Sequence, residues 1–167
     1  MAQQRTVYLN GEFVNEAYAR ISIFDSALTM GDMIFDTTRT YNGVPFRLRH
    51  HIDRLYVGIK TLEIDCGLTA DEMEAVTLQT VQKNAPCFPD GLDFTIVHNV
   101  SRGQFGMYSS AFTDEPQATV SIHCGPLTWQ LPDLADAYET GVHAVVPIQR
   151  TVPSRLIDPK IKRVHSE

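Results

Sequence analysis

The chain lacks the features that would commit it to a membrane, a nucleic acid or an oxidising compartment. No apolar run in its 167 residues approaches a bilayer span, and the opening MAQQRTVYLN has no apolar signal core. Basic residues are the minority: 14 Lys and Arg against 20 Asp and Glu leave a formal charge of -6. Gripping a phosphate backbone takes a basic face, so nucleic acid is not expected as a partner. Cysteine is scarce: Cys66, Cys87 and Cys124 are odd in number and show no CxxC spacing, the pattern of reduced thiols in a cytoplasmic protein. The six histidines show no HExxH or similar spacing, and His123 beside Cys124 is the one hint of zinc, so no metal site is expected. GxGxxG, a P-loop and GxSxG are all missing, which leaves dinucleotide binding and serine hydrolysis without local support.

What is present is a globular chain, 43% apolar, with clear hairpin and helix signals. Asn10-Gly11 joins strands over 6–9 and 12–14, and Asn42-Gly43 joins strands over 33–41 and 44–48. Ile21 and Ile23 alternate with Ser22 as a further short strand. Ile52, Leu55, Ile59 and Leu62 share one face of a helix starting near His51. Thr69 to Glu72 reads as a capping box that opens a second helix, which Pro86 and Pro89 end. Strands follow over 92–101, 117–123 and 141–148, and 104–116 reads as a loop. This order predicts an α+β domain over residues 1–123, a linker over 124–134 and the beginning of a second domain over 135–167, so the chain reads as incomplete.

Several cations could carry chemistry. Arg39 lies within the strand FDTTRTY, on the same face as Phe35, Thr37 and Tyr41. Arg54 sits one turn into a helix, where a guanidinium can clamp phosphate with two directed hydrogen bonds or simply pair with Asp53 or Asp65. Arg102 ends a strand before Gly103. Lys160 and Lys162 follow Pro159 and share a face in an extended chain, so spacing does not choose between them. A lysine becomes nucleophilic only where burial or nearby positive charge destabilises its ammonium.

Five ordered segments together resemble the class IV aminotransferases, the fold-type IV enzymes that use pyridoxal 5'-phosphate (PLP). They are Asn10-Gly11-Glu12-Phe13 with Asp25, Gly31-Asp32-Met33-Ile34-Phe35, Tyr41-Asn42-Gly43 with His51-Ile52-Asp53-Arg54-Leu55, Val100-Ser101-Arg102-Gly103, and Asp158-Pro159-Lys160-Ile161-Lys162. The group includes branched-chain, D-amino-acid and (R)-selective amine transaminases and aminodeoxychorismate lyase.

The resemblance implies the small N-terminal domain of that fold and the start of its larger cofactor domain. It implies that Lys162, rather than Lys160, forms the Schiff base with PLP and that Arg54 holds the cofactor phosphate. Phe35 falls where the family lines the substrate pocket. Arg39 matches an arginine of the branched-chain type, and Arg102 one that meets substrate carboxylate in the D-amino-acid type. His98 stands where some branched-chain enzymes carry a second arginine. The implied reaction moves an amino group from an amino acid or primary amine to an α-keto acid. A homodimer is implied too, with the loop from Gln104 to Phe112 acting in the partner's site. The alternatives are a lyase of the aminodeoxychorismate type and a non-catalytic module of this fold. The family's partner for the pyridine nitrogen and its further phosphate-binding turns would follow the lysine, beyond Glu167.

Overall fold

The computed structural model describes residues 4–89, 92–104, 117–127, 135–148, 153–154, 158 and 161–162. Its framework is a six-stranded sheet in the order β2-β1-β6-β5-β3-β4, with every described pairing antiparallel. The strands are β1 (Thr6–Leu9), β2 (Glu12–Asn15), β3 (Met33–Tyr41), β4 (Val44–Pro45), β5 (Phe94–Ser101) and β6 (Thr119–Pro126). The helices are α1 (Ser26–Met30), α2 (Leu48–Thr61), α3 (Ala70–Asn84) and α4 (Ala135–Thr140). An α+β architecture is what the order of signals predicts.

Both hairpins turn where expected. Asn10 and Gly11, and again Asn42 and Gly43, all have positive φ, the backbone that a two-residue primed turn demands. The capping box also forms: Thr69 Oγ1 accepts from Glu72 N at 3.2 Å while the Glu72 carboxylate accepts from Thr69 N at 2.7 Å.

Helices α2 and α3 pack against one face of the sheet, and the core lies between. Ile52, Leu55 and Ile59 of α2 and Met73 of α3 meet Ile34, Ile96, Val100, Val120 and Ile122 from β3, β5 and β6. Each such side chain taken from water contributes about 1.5–3 kcal/mol. Alternation sends the intervening residues to the other face: along β3, Phe35, Thr37 and Arg39 are half-buried while Ile34, Asp36, Thr38 and Thr40 are buried.

The structure departs from the sequence expectations in detail. The strand over 44–48 shrinks to Val44–Pro45, because proline removes a ladder donor and Arg47, at φ 50, turns the chain into α2 three residues before His51. Ile21 and Ile23 form no strand and are exposed. A short helix, α1, was not anticipated; Asp25 caps its start by accepting from Ala27 N at 2.8 Å, and Gly31 ends it with φ 65. Residues 141–148 form no strand: they pair with no described strand, and Val142, Val145, Val146 and Ile148 are exposed, so the apolar pattern there has no sheet to join. Strand β6 also runs past position 123 to Pro126, and residues 128–134 of the expected linker lie outside the described residues.

Candidate active site

The start of β3, which the short β4 does not reach, receives the segment that carries the candidate lysine. Phe35 N donates to Lys162 O at 2.9 Å, and Ile161 N donates to Asp158 O at 3.1 Å. Ile161 anchors the segment by burying its side chain between β3 and α2. Gly58 of α2 makes room for this: a Cβ there would stand 3.3 Å from Ile34 Cδ1 and 3.6 Å from Ile161 Cγ2. With Ile161 turned inward, Lys162 projects outward over Phe35, its Nζ 4.5 Å from the ring centroid. A cation over a ring face at an exposed site is held by roughly 0.5–1 kcal/mol, which positions the amine. Lys160 lies outside the described residues.

One residue further along β3, Asp36 points to the helix side and meets Arg54. Arg54 Nε donates to Asp36 Oδ2 at 2.7 Å and Nη2 donates to Oδ1 at 2.8 Å, a two-pronged pair. His51 Nδ1, one turn earlier on α2, donates to the same Oδ1 at 2.8 Å. The carboxylate is 1% exposed, whereas the Arg54 side chain is 48% exposed. Burial opposes ionisation of Asp36, but the hydrogen bonds from Arg54 and His51 outweigh it and hold the carboxyl below its ordinary value. The same pair strengthens the guanidinium's hold on its proton. Arg54 does not take either carboxylate considered from sequence. Asp53 accepts from Arg49 at 2.9 Å, and Asp65 accepts from Gly67 N at 3.0 Å.

Arg39 shares the open face with Phe35, as alternation predicts. Its guanidinium lies 4.1 Å from the Tyr41 ring centroid and 3.9 Å from Asp93. Four residues of strand separate it from Phe35, roughly 13 Å at the usual rise, so a ligand touching both must be long.

Two expected substrate residues are not brought to this place. His98 belongs to the opposite face: it is cross-strand to Asp36, 1% exposed and packed under α3. Thr77 Oγ1 already donates to Met73 O at 2.6 Å, so His98 Nε2 is the donor in their 2.9 Å contact, and Nδ1 is left a bare acceptor. Burial lowers its pKa to about 4, so the ring is neutral near pH 7. The β5 residue opposite Phe35 is instead Asn99, whose amide donates to Ser121 Oγ at 3.3 Å. Arg102 closes the end of α2: Nη2 and Nη1 donate to Leu62 O and Glu63 O at 2.7 and 3.1 Å, and Nε donates to Asp32 at 2.9 Å. A cation there satisfies terminal helix carbonyls. Gly103 follows with its own backbone demand. Its φ is +84°, and a Cβ would fall 1.8 Å from Gln117 O, so the backbone requires glycine at this position.

Sequence reasoning missed Asp36, His51 and Asn99. The signal for Asp36 was an acidic residue on a strand whose even positions are otherwise Ile and Thr. The signal for Asn99 was alternation along β5, where it shares a face with Thr95, Val97 and Ser101 while Phe94, Ile96 and Val100 enter the core. The zinc hint dissolves on strand parity: Cys124 is buried among the helices and His123 turns to the other face. No group of three or more potential ligands occurs among the described residues. A groove of about 320 Å³ on the open face, lined in part by Arg5, Glu16, Thr95 and His123, includes neither Phe35 nor Lys162.

Residues 33–166 match the family described as amino-transferase class IV. A Methanocaldococcus jannaschii protein, provisionally named a branched-chain-amino-acid aminotransferase, is 35% identical over 159 residues, covering 95% of this chain and 51% of its own. A D-alanine aminotransferase of Staphylococcus epidermidis is 31% identical over 78 residues, covering 47% of this chain and 28% of its own. Among solved structures, the branched-chain aminotransferase of Thermoproteus uzoniensis with norvaline superposes with TM-score 0.75 at 26% identity, over 96% of this chain and 51% of that one. The chain thus spans about half the length of the first relative and of this structure.

Proposed function

The chain belongs to the class IV aminotransferases, and from that premise we propose that the protein is a PLP-dependent transaminase that moves an amino group from an amino acid or primary amine to an α-keto acid. The observation that carries this reading is that adjacent residues of β3 hold an outward lysine, Lys162 over Phe35, and, on the helix side, a fixed guanidinium, Arg54 on Asp36. These groups fit the cofactor in kind: an amine that can hold its aldehyde carbon and an arginine for its phosphate. Arg54 Nη1 has no partner among the described residues and is the donor available for that phosphate. PLP, once bound, supplies an electron sink for the carbanion.

The chain's own residues have separate tasks. Lys162 holds the cofactor, then moves a proton to and from the substrate α-carbon, as base and then as acid. It must be a neutral amine to do either. Phe35 forms a wall beside the lysine and keeps water from the reacting carbon. Arg39, further along the same face, is the candidate for a distant carboxylate. His98 and Arg102 drop out of the substrate set, His98 because it is enclosed under α3 and Arg102 because its donors hold α2. The names of the archaeal relative and of the solved neighbour favour branched-chain amino donors.

A homodimer and a cytoplasmic setting complete the proposal. Cys66, Cys87 and Cys124 are free, as suits a reducing compartment. Gln104 pairs with Asp25 at the root of the loop proposed to act in the partner's site, and residues 105–112 lie outside the described residues. No helix among the described residues is long and apolar enough to cross a membrane.

The assay supplies PLP, a branched-chain amino acid and an α-keto acid and follows the new amino acid. Product that depends on both reactants supports the proposal. Pyruvate released from a chorismate-derived amine without any acceptor would replace it with the lyase reading.

A further inference from the structure

Resting on the assignment of Arg54 to the cofactor phosphate, we propose that Asp36 is the positioning residue for that site: it sets the guanidinium plane so that one edge faces inward and the other faces the phosphate.

Asp36 occupies a place that sequence pattern reserves for apolar or small side chains. The other inward residues of β3 are Ile34, Thr38 and Thr40, and the neighbouring strand offers Ile96 and Val100. A carboxylate in such surroundings costs several kcal/mol unless charged hydrogen bonds satisfy it. Among the described residues, Asp36 meets that demand with side-chain donors from one helix. Arg54 gives Nε and Nη2, and His51, three residues before it, gives Nδ1. Its cross-strand neighbour His98 is turned to Thr77 instead.

The consequence falls on Arg54. A guanidinium held by one oxygen can swing, whereas two parallel N–H···O bonds fix its plane and its edge. With Nε and Nη2 directed at Asp36, Nη1 points away from the carboxylate. The fork is anchored on β3 at the residue after Phe35, and Phe35 N is bonded to Lys162 O. One stretch of strand therefore sets both the lysine that would hold the cofactor ring and the arginine that would hold its phosphate. Asp36 itself, buried behind Arg54, reaches no ligand.

A phosphate-specific role is separable from general support of the fold by comparing PLP with pyridoxal, which lacks the phosphate. Equilibrium titrations of both are made on the purified protein and on Asp36→Asn, with folding checked by circular dichroism. The replacement keeps the volume and removes the charge. Its expected effect is a PLP Kd raised on the order of 10- to 100-fold, the range found when the outer partner of a ligating group is lost, with the pyridoxal Kd unchanged. Equal weakening of PLP and pyridoxal, or no change in either, overturns the proposal. Should Asp36→Asn fail to fold, Arg54→Lys serves, because it keeps the charge but cannot form the fork. Loss of the preference for PLP over pyridoxal then supports the proposal, and a retained preference overturns it. Arg54→Ala separates the two levels: if that variant still prefers PLP, the phosphate assignment itself fails and Asp36 has nothing to position.

Discussion

Phe35 and Asp36 are adjacent on β3 and live in different solvents. Phe35 lies on the open face, half-buried, with the Lys162 ammonium over its ring. Asp36 lies under the helices, 1% exposed, with every charge accounted for by Arg54 and His51. The helix face is thus a closed system in which a buried charge needs a partner. On the open face, side chains can change partners at little cost. Structure resides in the first and the candidate chemistry in the second, and Arg54 joins them: its inward edge is structural and its outward edge is available.

Substitutions break or sharpen this contrast. The largest effect is expected at the closed face, where Ile52→Ala should lower the unfolding free energy by about 2–5 kcal/mol in urea titrations. The same measurement on Thr37→Ala, on the open face, should stay within about 0.5 kcal/mol, and equal losses would erase the distinction.

A pH effect comes next. His98 is neutral when folded, with its pKa lowered by burial to about 4 from the ordinary 6.5. The unfolded chain therefore binds the extra proton first as pH falls, and stability should drop between about pH 6.5 and 4, by on the order of 3 kcal/mol. Asp36, held below the ordinary carboxylate value, contributes only at still lower pH. His123, also lowered by burial, titrates over part of the same window, so His98→Gln should remove most but not all of the slope. An unchanged slope in that variant would place the proton elsewhere.

Arg102→Ala is a smaller test, with about 1 kcal/mol of stability expected to go with the helix-end hydrogen bonds of a half-exposed arginine. Binding of PLP should be unaffected. A stability change near zero together with a raised KM for amino donor would return Arg102 to the substrate set.

Much of the scaffold was legible in sequence because it is local. Asn-Gly turns, the Thr69 capping box and the period of Ile52, Leu55 and Ile59 specify their elements without reference to distant chain. What sequence could not supply was side-to-side relation. His98 shares the even-numbered face of β5 with Phe94, Ile96 and Val100, a parity visible in sequence, but only the register of β3 against β5 sets it opposite Asp36 and beneath α3. Arg54 had acidic neighbours in sequence, yet its partner proved to be a residue on another element. Arg102-Gly103 matched a motif, but only the closeness of Gln117 O to Gly103 explains the glycine. The apolar pattern of 141–148 predicts a strand that no described neighbour completes.

Lys162, anchored by Ile161 against α2 and projecting over Phe35, is the residue we propose to hold PLP. Borohydride reduction of the protein with bound PLP, followed by peptide mass mapping, tests it directly. A pyridoxyl group on Lys162 is the predicted result; the same group on Lys160, or no modified lysine in protein that retains PLP, would contradict it.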